Sequence, residues 1–111
     1  MPSVKIETSA VLSKAQEQAL AIETGKIVSE LLNKPLPVIQ VRVASGLTMA
    51  FGGEIADDSA YVSIALIGRI ARETRPLLPE RFTALLARYG VDPRKVFLNY
   101  AETEPDAWGW I

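Results

Sequence analysis

The chain has 111 residues, 49% of them apolar, and 12 basic against 13 acidic side chains leave a net charge of −1. This length fits one domain spanning residues 1–111, and the charge balance gives no electrostatic reason to expect nucleic acid or an anionic membrane as partner. Cysteine and histidine are both absent, which excludes disulfides, thiolate catalysis and Cys-based metal sites and removes the commonest general base.

Acid–base chemistry therefore falls to carboxylates, Lys, Tyr or a terminal amine, with no cofactor and no metal expected. The first residues lack a charged-then-apolar leader, and no apolar run approaches a membrane span. A cytoplasmic protein is the expectation.

Ser3-Val4-Lys5-Ile6-Glu7-Thr8 alternates and predicts a strand that begins at the terminus, with Val4 and Ile6 on one face. Pro2 immediately precedes it. Removal of Met1 would leave Pro2 with a free secondary amine held by a sheet. An α-amino group has a reference pKa of about 8, and burial beside another cation would lower it toward working pH. Such a group is suited to general-base chemistry. The competing reading is a small residue that happens to follow the start.

Ser13-Lys14-Ala15-Gln16 fits a capping box, with a helix following to about Asn33. Leu20, Ala21, Ile27, Val28, Leu31 and Leu32 share its apolar stripe. Gly25 inside that helix hints at close packing. Pro35 and Pro37 stop the helix near Lys34.

Val38 to Ala44 predicts a second strand, with Ile39, Val41 and Val43 facing one way and Gln40 and Arg42 the other. Residues 47–53 are an apolar segment ending in Gly52-Gly53, and residues 54–59 a polar turn. Ala60 to Ile67 predicts a third strand, apolar on both faces around Ser63.

Arg69 to Arg75 is ambiguous. Pro79 suits the first turn of a second helix running to about Tyr89, with Gly90 as its cap and Phe82, Leu85, Leu86 and Tyr89 as its stripe. Lys95 to Ala101 predicts a fourth strand, in which Val96, Leu98 and Tyr100 alternate with Phe97 and Asn99. The aromatic tail Trp108-Gly109-Trp110-Ile111 reads as docked against something.

The order is strand–helix–strand twice over. The predicted class is α+β, in which tandem β-α-β units form a four-stranded mixed sheet with two helices on one face. The other face carries Gln40, Arg42, Phe97 and Asn99, too mixed for plain core or plain solvent surface. Such a face suits a subunit interface.

These residues together resemble the macrophage migration inhibitory factor branch of the tautomerase superfamily over essentially the whole length. The resemblance is carried by Pro2, Lys34-Pro35, Met49-Ala50-Phe51-Gly52-Gly53 and Ile67-Gly68-Arg69. Asp92-Pro93-Arg94-Lys95-Val96, Asn99-Tyr100 and Trp108-Gly109-Trp110 complete it. It implies a homotrimer whose sheets line a central barrel, with sites between neighbouring subunits. It also implies keto–enol tautomerisation of phenylpyruvate-like and dopachrome-like aromatic substrates.

Pro2 would then be the catalytic base. Lys34 would lower its pKa and bind a substrate carboxylate, the Ile67 backbone would contact substrate, and Asn99 of a neighbouring subunit would hydrogen-bond it. Three departures stand out. Phe97 replaces a pocket tyrosine, Trp108 replaces a small valine, and the Cys-x-x-Cys of some members falls on Ser59 and Val62.

Each residue also has a plainer reading. Lys34 suits a helix C-terminus electrostatically, Phe51 with its glycines suits a packed turn, and Asn99 suits an inward-facing polar position in a barrel. Trp108 and Trp110 would serve to seal an interface. Three roles remain open on sequence: an enzyme, a cytokine-like binding protein with an unidentified receptor and incidental turnover, and a structural trimer. Pro2 and Lys34 together favour the first over the third.

Overall fold

The structure is a computed structural model that describes residues 1–109; the part of the expected tail docking that falls on Trp110 and Ile111 lies outside the described residues. The chain forms β1 (Ser3–Thr8), α1 (Lys14–Leu32), β2 (Gln40–Ala44), β3 (Met49–Phe51), β4 (Glu54–Ala56), β5 (Ala60–Ile67), α2 (Leu77–Ala87) and β6 (Val96–Thr103). Four strands make one sheet in the order β2-β1-β5-β6. β1 is parallel to β2 across α1, β5 is parallel to β6 across α2, and β1 and β5 join the halves antiparallel. The tandem β-α-β reading, the mixed sheet and the pair of helices are all present.

Alternation decides the faces. Val4, Ile6, Val62, Ile64 and Leu66 are at most 1% exposed and pack with Leu20, Val28, Leu78, Phe82 and Leu86 from the helices. Full burial of each large apolar side chain stabilises by roughly 1.5–3 kcal/mol, which holds both helices to this face. The opposite face carries the rows Arg42–Lys5–Ser63–Asn99 and Ala44–Glu7–Tyr61–Phe97. The two helices are also laced by Arg88–Glu23 at 2.9 Å and Arg81–Glu30 at 3.1 Å.

Helix ends follow their chemistry. Ser13 caps α1 and Gln16 reaches back to it, completing the capping box. At the other end Asn33 takes φ 53°, the Lys34 N–H donates to Ser29 O, and the Ser29 hydroxyl donates to the Lys34 carbonyl at 2.6 Å. This clasp is a Schellman closure with Asn in the left-handed position. Gly90, at φ 86°, closes α2 the same way, with Val91 N–H donating to Leu86 O.

Three local differences from the sequence reading have clear causes. α2 carries Pro79 in its first turn as expected, where only an N–H that would go unpaired anyway is lost, but its regular turns end at Ala87 rather than about Tyr89. Residues 36–38 form a 3-10 turn, so β2 begins at Gln40. The stretch assigned to an apolar segment and polar turn is a small hairpin, β3 with β4, joined by Gly52 and Gly53 at φ 64° and 85°. Glycine takes those angles freely.

Candidate active site

The start of β1 is where the fold brings chemistry together. α1 runs back along β1, so its C-terminal clasp delivers Lys34 to the end of the sheet where Pro2 sits. Pro2 is buried, and its carbonyl accepts from the Gln40 N–H at 3.1 Å. On the other side, the β1–β5 pairing ends at Ser3–Ala65, one residue short of Pro2.

A cleft of about 340 Å³ opens here, lined by Met1, Pro2, Val38, Ile39, Gln40 and Trp108 among others. The 3-10 turn after Pro35 supplies its Val38 wall. Lys34 is half-buried and lines a second crevice of about 190 Å³ with Leu66, Arg69 and Ile70. Its charge nonetheless reaches the chain's first amine. Burial, and then the Lys34 ammonium, hold that amine on Met1 below its ordinary range. Both effects favour the neutral, proton-accepting form.

Trp108 follows a 3-10 turn over Pro105–Ala107. Its indole N–H donates to the Thr103 hydroxyl oxygen at 2.6 Å, and that hydroxyl donates to Leu66 O at 2.9 Å. Glu102, next along β6, pins the segment after β5 by accepting from Ile70 N–H and Arg75. The Ile70 amide first, and then Arg75, hold this carboxylate below the usual range.

The structure thus gathers Pro2 and Trp108 in one cleft, with Ile67 at the adjoining strand end and Lys34 close enough to act on the first amine. It does not bring Phe97 or Asn99 there within one chain. Both lie on the open face of β6, in the rows of Glu7 and Lys5. At about 3.3 Å per residue those rows are roughly 17 and 10 Å along the sheet from Pro2. Phe97 instead packs on Phe51, ring centroids 5.4 Å apart, and remains 64% exposed.

Sequence reasoning missed Thr103 and the Pro37–Val38 wall. The two prolines marked the turn, but nothing marked Thr103, whose role depends on where the Trp108 ring lands. Among the described residues no group of three or more acidic side chains is placed to hold a metal ion. No helix there is long and apolar enough to cross a membrane.

Comparison with known proteins gives one family. The family model of macrophage migration inhibitory factor matches residues 1–111. The structure is similar to the macrophage migration inhibitory factor-like protein of Entamoeba histolytica, with a TM-score of 0.90 and 27% identity, covering 99% of this chain and 95% of that one. It is also similar to the macrophage migration inhibitory factor of Toxoplasma gondii, with a TM-score of 0.87, 26% identity and coverage of 97% and 95%. A homologue from Prochlorococcus marinus, 22% identical with coverage of 98% and 95%, shares the fold at a TM-score of 0.87. Comparison with curated proteins gives no match.

Proposed function

The chain belongs to the macrophage migration inhibitory factor family, and from that premise we propose that it is a keto–enol tautomerase of phenylpyruvate-like substrates, with Pro2 as base after loss of Met1. The observation that carries this reading is Pro2 buried in a cleft at the end of the sheet to which α1 brings Lys34. The Met1 amine at the edge of that cleft has its basicity lowered by burial and then by Lys34. While Met1 is attached, the Pro2 nitrogen is an amide and has no such basicity. Its removal would place a secondary amine at a buried, hydrogen-bonded position.

In the reaction the neutral Pro2 amine takes a proton from the carbon beside the substrate carbonyl. The electron pair left behind becomes the carbon–carbon double bond of the enol, and the proton is returned to the former carbonyl oxygen. Lys34 attracts the substrate carboxylate, and the Ile67 backbone bounds the site at the end of β5. The chain works as a homotrimer, in which Phe97 and Asn99 reach the Pro2 cleft from a neighbouring subunit. Phe97 has no hydroxyl to donate, and Trp108 is bulky. Both favour compact, planar substrates such as phenylpyruvate over larger dopachrome-like ones.

The test combines mass and kinetics. The intact protein should lack the mass of one methionine. Pro2→Ala should lower phenylpyruvate tautomerisation by a factor on the order of 10², the scale of losing a positioned base. Undiminished turnover in this variant would end the proposal.

A further inference from the structure

We infer that Thr103 is a positioning residue that holds Trp108 in place as a wall of the Pro2 cleft and so sets which substrates the cleft admits. This inference rests on the tautomerase reading above.

Thr103 is the last residue of β6, half-buried, and lies opposite Ile67. Its hydroxyl makes two bonds of opposite sense. It donates to Leu66 O at 2.9 Å and accepts from the Trp108 indole at 2.6 Å. Donation to a fixed strand carbonyl orients the hydroxyl, so its lone pairs have one direction to offer. An indole N–H can only donate, and here it meets an acceptor already aimed by β5.

The intervening residues 104–107 are all exposed. They make a tight turn but supply no core contact that would seat the ring. The neighbouring carboxylate of Glu102 is not the anchor, being occupied with Ile70 and Arg75. The strand position that accepts from Thr103, Leu66, follows Ala65, which pairs with Ser3 next to Pro2. β5 thus ties the anchor of Trp108 to the end of β1 that carries the proposed base.

The experiment uses the full chain with Trp110→Phe, which leaves Trp108 as the sole indole. Thr103→Val keeps the shape and removes both hydrogen bonds; Thr103→Ser keeps the hydroxyl. With Thr103→Val, Trp108 emission should shift to the red and become more readily quenched. The kcat/KM ratio of a dopachrome-like substrate to phenylpyruvate should rise about fivefold, the scale of one net hydrogen bond, chiefly through KM. Thr103→Ser should stay within twofold of the parent. Trp108→Val should raise the same ratio, and adding Thr103→Val to it should change nothing further, because the two act through one ring.

An active parent whose ratio and emission are unmoved by Thr103→Val would overturn the inference alone. So would full additivity with Trp108→Val. A parent inactive on both substrates would instead overturn the tautomerase reading, and this inference with it.

Discussion

The amine that opens the chain is tuned by two effects of the same sign, burial and the Lys34 ammonium. On the proposed mechanism the Pro2 amine takes this place once Met1 is lost and acts in its neutral form, so kcat/KM should rise with pH through its free-enzyme pKa. Removing the cation raises that pKa. Lys34→Met should therefore move the rising limb to higher pH and weaken binding of carboxylate substrates. An unshifted limb would leave Lys34 with only its place at the helix end. Pro2 and Lys34 could be singled out in the sequence because their places, before the first strand and after the first helix, are visible there. Thr103 was not, because a threonine gains meaning only from the partner that folding brings to it.

At the scale of elements, two glycines make opposite predictions. Gly53 turns the β3–β4 hairpin at φ 85°, with nothing within 4 Å of an added Cβ. Gly53→Ala should then cost only the left-handed backbone penalty, about 1–2 kcal/mol. In α1, a Cβ on Gly25 would meet Leu36 Cδ1 at 3.5 Å and Val41 Cγ2 at 3.8 Å, both ordinary contacts. The close packing that the sequence suggested therefore leaves room for a methyl group. Gly25→Ala should stabilise by roughly 0.5–1 kcal/mol through helix propensity. Unfolding midpoints of the two variants at one protein concentration check both signs. β1 was readable from alternation and β5 as an apolar run, and burial alternates strictly along both. The hairpin had a signal too, paired glycines between Phe51 and Glu54, but strands of three residues give alternation too little length to show.

For the molecule as a whole, the unfinished surfaces argue for assembly. Among the described residues β2 and β6 are open edges, and the hairpin is two short strands with no third. Two-stranded hairpins are marginal in isolation. Phe97 and Ile55 stand 64% and 77% exposed beside a face of mixed polarity. A homotrimer would cover these groups and bring Asn99 to a neighbouring Pro2. Sedimentation at micromolar concentration should give three times the chain mass of 12.1 kDa; a species of one chain mass would remove the assembly and the shared site together. Assembly is the least legible level, since a sheet face shows in one sequence that it needs a partner but not the symmetry of that partner.

The position of β1 between β2 and β5 also governs timing. Its antiparallel partner, β5, lies roughly 50 residues downstream, which at common synthesis rates is a wait of about 3–10 s. For that interval β1 lacks one of its two neighbours and its start is open on that side. In the folded chain Pro2 is buried and its carbonyl is bonded to Gln40 of β2. On the proposed mechanism, Met1 would then be trimmed from the nascent chain. The arrival of β5 would close the window in which the proposed base can be made.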